Sequence, residues 1–140
     1  MGKLKAIFFI SIFALFSCTE SEEKEFNLCT NSCVVINKNL YNNTSSANYE
    51  ILDVSLNNDL LTINISSGGC DGNRWIVNLV DSEAIAETSI IQRYIKISLV
   101  NDEDCFAMVQ KKFTFNIKEL KGSEPEIILN LEGWDTQINY

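Results

Sequence analysis

The sequence predicts an all-β fold: an antiparallel β-sandwich, immunoglobulin-like in size, with a partly open β-barrel as the alternative. Three observations predict it. Apolar residues recur at every second position through most of the chain beyond residue 49, the period of a strand with one buried face. Turn-forming residues interrupt that period at short intervals. No helical period is sustained, and the single proline, Pro125, stands in a turn.

The elements follow in order. Residues 26–49 are rich in Asn and Ser, with one apolar patch, Val34, Val35 and Ile36, that reads as a short edge strand. Asn42, Asn43, Thr44, Ser45 and Ser46 read as a loop. Leu52, Val54 and Leu56 then alternate with Ile51, Asp53 and Ser55, Asn57, Asn58 and Asp59 make a turn, and Leu61, Ile63 and Ile65 resume the alternation. This is a hairpin with one buried and one wet face. After Ser66, Ser67, Gly68, Gly69 and Cys70, Trp75, Val77 and Leu79 face inward on a third strand. Residues 81–88 break the pattern and read as a loop or one helical turn capped by Ser82. Ile95, Ile97 and Leu99 form the inner row of the next strand, which ends in the acidic turn Asn101, Asp102, Glu103, Asp104. Residues 106–109 and 113–120 read as two further strands, with Phe113, Phe115 and Ile117 inward. Ile127, Leu129 and Leu131 close the set. Seven or eight strands in roughly 95 residues is the size of an immunoglobulin-like domain, although the cysteine–tryptophan–cysteine arrangement of that superfamily is absent.

The start of the chain has a different grammar. Lys3 and Lys5 precede an apolar run, residues 6–16, broken only by Ser11. A basic start and a short apolar core are the pattern of a secretory signal. The run is too short for a bilayer span, which takes roughly 20 apolar residues. Leu15, Phe16, Ser17 and Cys18 resemble the lipobox of bacterial lipoproteins. The resemblance implies diacylglyceryl transfer to the Cys18 thiol, cleavage between Ser17 and Cys18, and acylation of the new amino terminus. Residues 1–17 are then a signal peptide, residues 18–27 an acidic tether, and residues 28–140 a single domain. An ordinary secreted protein with Cys18 in a disulfide is the competing reading. The acidic segment behind Cys18 is similar to the surface-export signal of lipoproteins from Bacteroidota, and Thr19 is not the retention aspartate of enterobacterial lipoproteins. The implied location is the outer membrane, lipid-anchored, on its periplasmic or outer face.

Charge and composition exclude several functions. The chain of 140 residues carries a formal charge of −8, more negative once Lys3 and Lys5 are removed, so it repels nucleic acid and anionic headgroups. Histidine is absent, which removes the commonest general base and metal ligand. With Cys18 acylated, Cys29, Cys33, Cys70 and Cys105 remain, and an exported domain pairs its cysteines. Of three possible pairings the favoured one is Cys29–Cys33 with Cys70–Cys105. A four-cysteine zinc site is the weaker alternative, because Cys70 and Cys105 are not a close pair.

Other candidate sites are sparse. Asp71, Asp102 and Asp104 would meet if Cys70 and Cys105 are bridged, and could form a calcium clip; solvated turn residues are the competing reading. Glu50, Asp53 and Asp71 are nominal carboxylates for a small hydrolase, with no spacing that selects a pair. Trp75 reads as core, and Trp134 as either core or ligand platform. Ser67-Gly68-Gly69 is no phosphate loop, since neither lysine nor helix follows, and no cofactor motif is present. The two cysteine-containing turns, Ser67-Gly68-Gly69-Cys70 and Asn101-Asp102-Glu103-Asp104-Cys105, are similar to those of small uncharacterised lipoproteins from Bacteroidota, although Asp71-Gly72-Asn73-Arg74 stands where members often have a histidine. The reading is a non-catalytic envelope lipoprotein that binds a protein or glycan partner or serves a structural role. An inhibitor or immunity-type lipoprotein, and after it a carboxylate hydrolase, are the alternatives.

Overall fold

The structure, a computed structural model, describes residues 32–86 and 88–140. The signal peptide, the tether with Cys18, and Cys29 lie outside the described residues. In chain order the elements are β1 (Cys33–Ile36), α1 (Lys38–Asn43), β2 (Glu50–Asn57), β3 (Leu60–Gly69), β4 (Ile76–Ala86), β5 (Ile91–Val100), β6 (Ala107–Asn116), α2 (Lys118–Lys121), β7 (Ile127–Leu131) and β8 (Ile138–Asn139). They form a five-stranded sheet, β1-β4-β5-β7-β8, and a three-stranded sheet, β2-β3-β6. The sheets pack face to face without closing, which replaces the barrel alternative with a sandwich.

The period-two rows build the core. Leu61, Ile63 and Ile65 of β3 and Phe115 of β6 meet Val77, Leu79, Ile95, Ile97, Ile127 and Leu129, all fully buried. Burial of each such side chain contributes roughly 1.5–3 kcal/mol. The β2–β3 hairpin turns on Asn58 and Asp59, where Asn58 adopts φ 53°, a left-handed conformation that asparagine tolerates. On the wet face of the small sheet Thr62 and Thr114 join their hydroxyls at 2.9 Å.

The sandwich is not wholly antiparallel. β1 pairs with β4 in parallel, and so does β5 with β7. Both pairs join strands separated by an excursion into the other sheet, and such a crossover can return the chain in its original direction where a hairpin cannot.

Local departures from the expected rows have local causes. A bulge between Ile51 and Asp53 turns Ile51 toward the core and leaves Leu52 exposed, against the expected inward Leu52. Residues 81–86 are not a loop or a capped helical turn but a continuation of β4 around a bulge. Asp81 Oδ1 accepts from Glu83 N at 2.8 Å, and Ser82 Oγ from Ala84 N at 3.2 Å. The two expected strands at 106–109 and 113–120 are one strand, β6, ended by α2. Ile117 and Leu120, three apart, both reach the core through that helical turn, so the alternation stops at Asn116. Within 42–46, the first two residues close α1, whose N-cap Asn37 accepts from Leu40 N at 2.8 Å.

Two polar clusters tie the elements together. At one end of the core, Arg93 reaches fully buried Asp81 with Nε at 2.9 Å from Oδ2 and Nη2 at 2.7 Å from Oδ1. On the outer face of the large sheet, buried Lys96 lies 2.9 Å from Glu132, 4.2 Å above the Tyr41 ring and 3.3 Å from Thr44 O. Partial burial opposes the charge of Glu132, but Lys96, Ser46 and Tyr41 outweigh it and hold its pKa below the ordinary value. Burial, then the charge of Glu132, pushes Tyr41 up to about 12. The cluster docks α1 and the following loop onto the sheet.

The edges of the small sheet are guarded. β2 carries its bulge with Glu50 and Asp53, and β6 carries exposed Lys112 and runs beside β1. Bulges and edge charges of this kind oppose addition of a further strand.

Candidate functional site

The rim where β3 runs into β4 and β5 runs toward β6 gathers the unusual residues of the chain. Cys70 and Cys105 are bonded across it, as expected from the sequence. Inside that staple the Glu103 carboxylate sits in a cradle of main-chain N–H groups. Cys70, Asp71 and Gly72 donate to Oε2 at 2.7, 3.3 and 2.9 Å, and Arg74 donates to Oε1 at 3.1 Å. Successive N–H groups turned inward by a tight loop make an anion-binding concavity. Here the chain fills it with its own carboxylate.

Two glycines make the cradle possible. A Cβ at Gly69 would stand 2.5 Å from Glu103 Oε2 and 3.1 Å from Trp75 Nε1. Gly72 adopts φ 68°, and a Cβ there would meet Lys111 Cδ at 2.8 Å. Lys111 lays its stem against this turn and donates to Asn73 Oδ1 at 2.8 Å. Asn101 completes the frame: its Nδ2 donates to Gly68 O at 2.6 Å, and its Oδ1 accepts from Glu103 N at 2.9 Å. Beneath the cradle Trp75 is buried, as expected of a core residue, with its Nε1–H unpartnered.

Burial works against the charge of Glu103, yet the bonds from Arg74, Gly72, Cys70 and Asp71 outweigh it and lower its pKa from 4.5 to about 2. A carboxyl lowered on folding stabilises the folded rim above its ordinary pKa, and that contribution is lost as pH falls through about 2. The thermal midpoint of Glu103→Gln is therefore expected to lie below that of the natural chain at neutral pH, with the gap narrowing from about pH 4.5 downward. Paired melts between pH 2 and pH 7 measure it. A gap independent of pH would refute the cradle.

The rim also presents apolar surface. Phe106, directly after Cys105, is fully exposed, and Met108 is 71% exposed. Neither stood out in the sequence, where residues 106–109 read as an ordinary strand. The available signal was a phenylalanine against an acidic turn and a cysteine.

The other expected sites fare differently. Asp71, Asp102 and Asp104 do not gather into a calcium clip. Glu103 points into the cradle while Asp102 and Asp104 on either side are exposed, and Asp71 accepts from Asn73 N and Nδ2 at 2.9 and 2.6 Å. Among the described residues no three His, Cys, Asp or Glu side chains are placed to hold a metal ion. Of the nominal carboxylates, Glu50 and Asp53 stand on β2 opposite Ser66 and Asn64 with the bulge between them, and Asp71 is in the rim turn. Cys33 is disulfide-bonded; its expected partner, Cys29, lies outside the described residues, and so does Cys18. Trp134 is half-buried against the core beside Ile51 and Gly133, closer to a core residue than to an open platform. No helix among the described residues is long and apolar enough to cross a membrane.

No protein-family model matches the chain. No curated protein sequence matches it. Solved structures do. The chain is similar to a protein of unknown function, DUF1344, from Bacteroides vulgatus, with a TM-score of 0.52 and 18% identity over 79% of this chain and 54% of that one. It is also similar to a toxin-related protein from Parabacteroides distasonis, with a TM-score of 0.44 and 13% identity over 79% of this chain and 59% of that one. The chain thus spans about half the length of the first neighbour. At this identity the likeness is one of fold: a two-sheet, all-β sandwich shared with a protein of the Bacteroidales.

Proposed function

We propose that this chain is a lipid-anchored, non-catalytic lipoprotein of the bacterial outer membrane, held through Cys18, whose β domain binds a macromolecular partner at the rim around Phe106. The observation that carries the reading is Phe106 itself. Its ring is fully in solvent while the residue before it is covalently stapled to the opposite turn. Burying such a ring would contribute roughly 1.5–3 kcal/mol, which the isolated domain forgoes. Rigid apolar anchors ringed by polar groups are what partner surfaces use at their energetic centre. The rim carboxylate best placed for chemistry, Glu103, is engaged by four main-chain N–H groups, which supports a scaffolding role rather than acid–base work. The lipobox resemblance at Leu15–Cys18 and the acidic tether support the anchor.

A photo-crosslinking phenylalanine placed at Phe106 in intact cells tests the binding surface. A discrete adduct is expected from position 106 and none from Thr114, exposed at the far end of β6. Equal labelling at the two positions, or none at either, would remove the rim from the reading.

A further inference from the structure

Beside the Phe106 anchor is a small open cavity of about 290 Å³, lined among others by Glu50, Ser66, Gly68 and Met108. The space over Gly68 is open, since a Cβ at that position would meet nothing within 4 Å. Met108, paired with Gly68 across β3 and β6, forms an exposed apolar wall. Glu50 contributes a carboxylate that makes no hydrogen bond or ion pair with the described residues. The space is shallow and open, a recess that a single long side chain can lie in.

Charge says which side chain. Glu50, Asp71, Asp102 and Asp104 are all exposed around the cavity and the rim. Arg74 stands on the rim turn; on β6, Lys111 is engaged with Asn73, and exposed Lys112 lies further along the strand. The whole chain carries −8. An acidic polypeptide or an anionic lipid surface meets repulsion there, and a neutral glycan leaves the Glu50 carboxylate without a counter-charge.

Resting on the partner-binding reading above, we propose that this cavity seats a lysine or arginine side chain from a basic segment of the partner polypeptide. The aliphatic stem lies over Gly68 and along Met108, as long cationic side chains cover apolar surface while keeping the charge polar-facing. The charged head meets Glu50, where an arginine can donate two parallel hydrogen bonds. An apolar neighbour in the same segment covers Phe106.

The full mature chain, purified in a nonionic detergent, allows the test. Three probes are titrated: a short arginine–leucine peptide, its glutamate–leucine counterpart, and maltoheptaose. The arginine–leucine peptide is expected to bind and to move the Met108 methyl resonance. Gly68→Val fills the cavity at a strand position that favours a branched side chain, and Glu50→Gln removes the charge; each is expected to weaken binding at least tenfold while the melting profile is retained. Unchanged affinity in Gly68→Val, no movement of Met108, no binding of the basic peptide, or tighter binding of either other probe would overturn the proposal. If the Phe106 crosslink persists when the basic peptide fails, this inference alone falls; if both fail, the rim reading falls with it.

Discussion

Replacing Cys70 and Cys105 together by serine is expected to remove about 4 kcal/mol of stability, the chain-entropy value for a loop of this length. The bridge closes a sequence separation of 35 residues. For a domain of this size that corresponds to a melting point lower by roughly 15 °C. The loss falls on the rim first, because the staple holds the Glu103 turn against the N–H groups of Cys70, Asp71 and Gly72. Without it the Phe106 ring loses its fixed position, so the crosslink from position 106 is expected to spread or vanish although the core persists. Equilibrium unfolding in urea gives the stability, and the crosslink gives the geometry. A double variant less than about 1 kcal/mol weaker would mean that the bridge constrains neither the unfolded chain nor the rim.

The second large effect is expected at the other end of the core. Arg93→Met strands Asp81, whose side chain is fully buried, and removing one partner of such a pair costs about 3–5 kcal/mol. The loss comes from the uncompensated charge left behind. Adding Asp81→Leu removes that charge, and hydrophobic replacement of both partners is often neutral. Recovery here is expected to be partial, because Asp81 also accepts from Glu83 N at the β4 bulge. A double-mutant cycle in urea reads the coupling. Additive losses would show that the two side chains act independently.

What was legible in the sequence was whatever a period of two encodes. The inner rows of β3, β5 and β7 and the turn at Asn58 and Asp59 follow from alternation and turn chemistry alone, and so does the burial of Trp75. Compartment and cysteine count predict that the cysteines pair, and leave three pairings open; the structure shows the favoured Cys70–Cys105 bridge. What escaped depends on neighbours distant in sequence. Leu52 faces outward because a bulge resets its register, and alternation carries no mark of where a bulge falls. Lys111 interrupts the apolar row of β6 because Gly72, remote in the chain, leaves room for its stem. The parallel pairs reflect crossovers between sheets, which no local pattern records. At the rim, Asp102 and Asp104 are solvent-exposed, whereas Glu103 between them holds the turn through four main-chain N–H groups. Its role exists only once the disulfide brings the Gly69–Gly72 backbone to it. Glu50 likewise stood out as a carboxylate, but its setting, the open space over Gly68, appears only when β2, β3 and β6 are assembled.

The proposed location assumes that the mature chain begins with an acylated cysteine, Cys18. The intact mass of the native protein extracted from membranes tests this most directly. The expected species begins at Cys18 and carries the added mass of a diacylglyceryl group and an amino-terminal acyl chain. A chain beginning at Cys18 or elsewhere with that thiol free or bridged, and no acyl mass, would contradict it.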